Sequence, residues 1–171
     1  MRCRRGEHEA MCMAYDKVWK IIYPGVYQIV RNREEAEDVL QESIIKGFER
    51  LGELKEPEKY PAWQKQIALR QALNKIRSGK NSITFMDVAD VTEEEPVEMD
   101  WMNISMEQIQ KRLDAMAEGY RLVIRLHLME DWSHDEIGKH LGITASTSRS
   151  QYSRAMLKLK KELQEEYAKQ I

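Results

Sequence analysis

Ser146, Arg149, Ser150 and Ser153 recur so that a helix would gather all four on one face, with Arg154 at its margin. Short hydroxyls approach base edges without steric conflict, and guanidinium groups pair with phosphates or with the acceptors of guanine. From Thr144 to Lys161 there are five Lys or Arg and no Asp or Glu, so such a face would meet DNA without repulsion. A second set, Trp63, Arg70, Asn74 and Arg77, shares one helical face with Ile67, and Gln64 to Lys80 again holds five basic residues and no acid. Aromatic rings stack on unpaired bases while arginines hold the backbone, which is the chemistry of single-strand binding. A third set, Asp38, Gln41 and Glu42 with Ile45 and Glu49, forms a polar stripe opposite an apolar one. The plain alternative for each set is a solvated helix face, and for Trp63 a core aromatic.

Other chemistries find less support. Cys3 and Cys12, with His8 between them, match no zinc spacing and read as free thiols. His127, His134 and His140 are spaced seven and six apart with no HExxH, so they read as packing and capping residues. No catalytic residue, metal ligand or cofactor is expected. The formal net charge of −2 leaves no global basic excess, so any nucleic-acid surface must be local. No run of 18 apolar residues suits a membrane span, and "MRCRRGEHEA" lacks the apolar segment of a signal peptide, so a cytoplasmic location is expected.

The elements that would position these residues are helices. Met11, Tyr15, Val18, Ile22, Val26 and Ile29 step by three or four, with a kink or short break expected at Pro24-Gly25. Asn32 and Glu35 make a capping box for a helix that buries Ala36, Leu40, Ile44, Phe48 and Leu51. A loop over 52–61 leads to a helix with Pro61 in its first turn, running to about Arg77, with Leu69, Ala72, Leu73 and Ile76 on its second face. Ser105 with Gln108, and Ser133 with Glu136, cap two later helices. Between them a helix carries Tyr120, Val123, Ile124, His127 and Leu128. Gly138 and Gly142 fall where a helix-turn-helix needs a close crossing and a positive φ, with Ile137, Leu141 and Ile143 as the core of the turn and Thr144 as the next cap. The last helix runs from about Ala145 almost to the end, with Ser148, Tyr152, Ala155 and Leu159 facing the core.

From Asp87 to Asp100 there are seven acidic residues and no basic one, which predicts a self-repelling tether. The expected fold is all-α: helical domains over 1–80 and 103–171, joined by a flexible acidic linker over 81–102.

"NREEAEDVLQESIIKGFERL" followed by "YPAWQKQIALRQALNKIRSGK" resembles region 2 of extracytoplasmic-function sigma factors of the sigma-70 family, subunits of bacterial RNA polymerase. "LDAMAEGYRLVIRLHLMEDWSHDEIGKHLGITASTSRSQYSRAMLKLKKEL" resembles their region 4, and "TSRSQ" resembles the Bacteroidetes type. The resemblance spans about Arg4 to Leu163. It implies a non-enzymatic subunit that binds core RNA polymerase and directs promoter-specific initiation, with an anti-sigma factor as the partner that many relatives have. Asp38, Gln41 and Glu42 would dock the polymerase's largest-subunit coiled coil. Trp63, Arg70, Asn74 and Arg77, with the 52–62 loop, would meet the −10 element, where a base is flipped out. Ser146, Arg149, Ser150, Ser153 and Arg154 would read the −35 element. The chain departs from the family at Arg70, where Asn is usual, at Asn74, at Ala117 where Pro is usual, and at Ser148, where Val or Ile is usual and whose hydroxyl should thin the apolar seam. The rival readings are a stand-alone helix-turn-helix regulator and an enzyme. Co-purification with core polymerase separates the first from a sigma factor, and metal analysis tests the second.

Overall fold

The structure is a computed structural model that describes residues 3–79 and 104–168, with the backbone alone at Arg4, Tyr167 and Ala168. The chain splits into two compact units, Met1–Ser82 and Ile83–Ile171. The linker expected over 81–102 lies outside the described residues. Among the described residues every regular element is helical.

The first unit packs α1 (His8–Val30), α2 (Arg33–Glu49) and α3 (Tyr60–Ser78) together. The buried stripe of α1 is Ala10, Val18, Ile22, Val26, Ile29 and Val30. Of the kink or short break expected at Pro24-Gly25, the break does not occur: α1 runs unbroken through Pro24, which lies on the exposed side. An internal proline costs about 3 kcal/mol or more. Burial of Val26, Ile29 and Val30 beyond it, at about 1.5–3 kcal/mol each, outweighs that cost. Tyr15, Trp19, Tyr23 and Tyr27 form a ladder along α1, with successive ring centroids 5.3, 5.7 and 6.0 Å apart. Arg31, at φ 61°, closes α1 by donating its N–H to the Tyr27 carbonyl. Asn32 then opens α2 by accepting the Glu35 N–H at 3.0 Å.

That cap sets the phase of α2. Ala36, Val39, Leu40, Ser43, Ile44 and Gly47 are buried. Two members of the expected stripe differ: Phe48 is half-buried, and Leu51 is buried from a separate 3-10 turn, Leu51–Glu53. The buried Gln64 of α3 donates to the Ser43 carbonyl at 2.7 Å, and a methyl group at Gly47 would collide with the Gln64 amide. Gly47 and Gln64 thus fix the close crossing of α2 and α3.

The second unit contains α4 (Met106–Ala115), α5 (Glu118–Ile124), α6 (His134–Leu141) and α7 (Ala145–Ala168). Leu113, Met116, Ile124, Ala155, Leu159 and Leu163 form its core. The Ser105–Gln108 capping box starts α4 as expected. The helix expected to carry Tyr120 through Leu128 is instead α5 followed by a π turn, Arg125–Met129. The backbone N–H of the buried Trp132 donates to the Leu126 carbonyl at 2.9 Å across that turn. The wider turn shifts the phase, so Leu128 is exposed rather than packed. Buried Arg125 pairs with Asp114 at 3.1 Å, and Arg112 pairs with Glu166 at 2.8 Å, tying α4 to the π turn and to α7.

Candidate nucleic-acid interface

In the second unit, the Ser133 hydroxyl accepts the Glu136 N–H at 3.2 Å while the Glu136 carboxylate accepts the Ser133 N–H at 3.0 Å. This box starts α6, which ends at Gly142 with φ 74°. The Gly138 carbonyl accepts the N–H groups of Gly142 and Ile143 at 2.8 and 3.0 Å. A Cβ at Gly138 would lie 2.6 Å from the Ile143 carbonyl oxygen, so only glycine lets the turn close here. The Thr144 hydroxyl accepts the Thr147 N–H at 2.9 Å and caps α7. Two helices joined by this short glycine-bearing turn make a helix-turn-helix, with α7 in the recognition position.

On α7, Ser146, Arg149 and Ser153 are exposed and Ser150 is half-exposed. None of the four holds a hydrogen bond or ion pair among the described residues. Arg154 is half-buried and already engaged within the chain, so it is a weaker DNA candidate than the other four. The first turn of α7 has no acid, which leaves the positive end of its dipole uncancelled. Ser148, Gln151, Ala155 and Leu159 are buried on the opposite face, whereas Tyr152 is half-buried. Ser148 does more than thin a seam, because its hydroxyl meets His134 Nδ1 at 2.9 Å. That bond belongs to a cluster the sequence did not reveal: the His127 and His134 rings stack at 4.2 Å, and Tyr152 sits edge-on to both. Burial first, then His127 and Arg149, hold the His134 pKa below the usual imidazole value, with Asp135 opposing. Stacked rings send their free lone pairs side by side rather than toward one point, a poor arrangement for chelation. No group of three His, Cys, Asp or Glu suited to a metal occurs among the described residues.

In the first unit, Asp38, Gln41 and Glu42 are all exposed on α2, beside the exposed Ile45 and Glu49. On α3, Arg70, Asn74 and Arg77 are exposed and Trp63 is half-buried, with its ring 6.3 Å from that of Tyr60. Ile67, expected on the same face, is buried instead. Ahead of Arg70 lies a groove of about 320 Å³, lined by Glu53, Leu54, Lys55, Glu56, Lys59, Ala62, Trp63 and Gln66. This is the low end of the range for ligand clefts, about 300–1,000 Å³. Arg50–Glu53 and Lys59–Glu56 ion pairs span the 3-10 turns at its rim. Burial, and then the nearby Cys3, push the Tyr60 pKa up to about 12.

A family model described as sigma-70, region 4 matches residues 106–159, the span from α4 into α7. The chain is 26% identical over 178 residues to the ECF RNA polymerase sigma factor SigW of Bacillus subtilis (strain 168), covering 95% of this chain and 93% of that protein. It is 27% identical over 144 residues to the RNA polymerase sigma factor SigV of the same organism, covering 84% and 85%. In fold it is similar to the sigma factor RpoE of Bartonella quintana, solved with the anti-sigma factor NepR. That match has a TM-score of 0.53 and 17% identity, and covers 86% of this chain and 92% of that one. The region 4 match falls on the helix-turn-helix unit, and the three-helix unit lies within the span shared with the sigma-factor relatives. Over most of its length the chain is similar to extracytoplasmic-function sigma factors, and residues 106–159 match sigma-70 region 4.

Proposed function

We propose that this chain binds core RNA polymerase and directs promoter-specific initiation, with the two units reading different promoter elements. The carrying observation is the α7 face, where hydroxyls and Arg149 stand exposed and unengaged within a stretch matching sigma-70 region 4. In this reading residues 103–171 bind the −35 element through Ser146, Arg149, Ser150 and Ser153, with Arg154 as an outlying phosphate contact. Residues 1–80 hold the polymerase through Asp38, Gln41 and Glu42. They also meet the opened −10 element through Trp63, Arg70, Asn74 and Arg77, and the groove beside Trp63 is the natural seat for an unstacked base. Residues 81–102 serve as the acidic tether.

The protein works in the cytoplasm and catalyses nothing itself, since the polymerase makes the bonds. Thr147–Gln151 on α7 favours a Bacteroidetes-type lineage, and an anti-sigma factor is a fitting regulator, as the co-crystallised relative has one. The test is a core-polymerase pull-down beside run-off transcription from a promoter mapped after overexpression. Retention of core and initiation at that promoter are expected. Failure of both, with tight operator binding by the chain alone, would establish a stand-alone regulator instead.

A further inference from the structure

We propose that the His127–His134 stack is a pH-responsive joint in the helix-turn-helix, so that the hold of α6 on α7 loosens as His134 takes up a proton. Its effect on DNA rests on α7 being the −35 reader; its effect on the fold does not.

The two rings lie face to face, 4.2 Å between centroids and 25° between planes. Each is pinned by Nδ1. His127 Nδ1 lies 2.8 Å from the Trp132 carbonyl, which can only accept, so this nitrogen holds the proton. His134 Nδ1 lies 2.9 Å from the hydroxyl of Ser148, a residue with no exposure. The π turn is what brings His127 over His134, and Tyr152 of α7 closes the cluster from the side, 4.7 and 5.7 Å from the two rings.

The groups facing His134 come from every packed element. His127 comes from the π turn, Asp135 from α6 itself, and Arg149 and Tyr152 from α7. Apart from Asp135, its charged neighbours disfavour a second positive charge. A proton on the stack therefore meets a cation-forming partner across 4.2 Å and a guanidinium one helical position past Ser148. Protonation makes His134 Nδ1 a donor only, so the bond that joins α6 to the turn aiming Arg149 must reverse, with the Ser148 hydroxyl accepting, while the new charge sits against the His127 ring.

The sign follows from the lowered pKa of His134. The folded state favours the neutral ring, so the stabilisation is complete above the ordinary imidazole value of about 6.5 and fades as pH falls through it. This runs opposite to simple charging, since added positive charge alone tightens a protein on phosphates.

The test uses the full-length chain at fixed ionic strength, at about pH 7.5 and about pH 5.5, on either side of the ordinary imidazole value. The readouts are the melting midpoint of the second unit and binding of a duplex carrying the mapped −35 element. His134→Asn and His127→Asn keep an amide at the δ position but cannot charge. Wild type should lose about fivefold in affinity on acidification, the low end of typical site couplings, and its midpoint should fall. His134→Asn should hold its pH 7.5 behaviour in both readouts. Binding that tightens on acidification, or a midpoint with the same pH profile in wild type and both variants, overturns the joint. If no duplex binds at any pH, the DNA assignment of α7 fails, and the midpoint, which needs no DNA, decides the joint by itself.

Discussion

Arg149 and Arg70 occupy comparable positions in the two units, exposed on basic helix faces, yet they are suited to different tasks. Arg149 has no ion pair among the described residues, which leaves its guanidinium able to grip a base edge. Arg149→Ala should therefore weaken binding of the −35 duplex by about 1–3 kcal/mol and relax preference at one position. A binding series over single-base variants measures both, and unchanged binding would mean that α7 is turned otherwise in the groove. Arg70 stands beyond the Trp63 groove, where the family usually has the smaller, neutral Asn. Arg70→Asn should change which −10 base is preferred while leaving retention of core polymerase intact. Run-off transcription from −10 variants tests this, and an unaltered rank order would make Arg70 a backbone clamp.

The helices show where the sequence was readable and where it was not. The caps at Asn32, Ser105, Ser133 and Thr144, the glycines at 138 and 142, and the α2 and α7 faces were all legible, because each depends on residues three or four apart. The π turn was not, since the phase shift answers to Trp132 bonding back to Leu126 and being buried at the same time. The His134–Ser148 bond joins residues 14 apart, and Gln64 reaches Ser43 across 21, so no local pattern announces either. Continuity of α1 through Pro24 was hidden for a related reason: local propensity opposes it and tertiary burial outweighs it. The turn into α5 is a case where the departure from family usage is mild. Ala117 has φ −56° and is exposed, and Met116 before it is extended at ψ 156°. Both suit proline, so Ala117→Pro should stabilise the second unit by about 0.4–1 kcal/mol through the unfolded chain. Chemical denaturation would show it, and a loss instead would reveal a role for the Ala117 N–H.

Across the whole molecule, each unit folds around its own core and presents its own polar face, so the faces can be removed separately. Combined Asp38→Ala, Gln41→Ala and Glu42→Ala substitutions take away exposed groups only, and alanine favours a helix, so α2 should persist with little change in stability. Promoter-directed transcription should be lost while binding of the −35 duplex is retained, as run-off assays beside duplex titration would measure. Retained transcription would move the polymerase contact elsewhere on the first unit. The pH response of the second unit belongs to this scale too: acidification from about pH 7.5 to 5.5 should lower its melting midpoint through His134 while the first unit, whose single histidine, His8, is exposed at the start of α1, melts unchanged. The division of α7 into two sides has one more consequence. Ser148, Gln151, Ala155, Leu159 and Leu163 are buried and hold the fold, whereas the side chains of Ser146, Arg149, Ser150 and Ser153 make no hydrogen bond or ion pair among the described residues. With α7 as the proposed −35 reader, promoter preference would be inscribed where substitution leaves foldability almost untouched. After a gene duplication, two copies of such a chain could diverge toward separate sets of promoters without either lineage passing through an unstable ancestor.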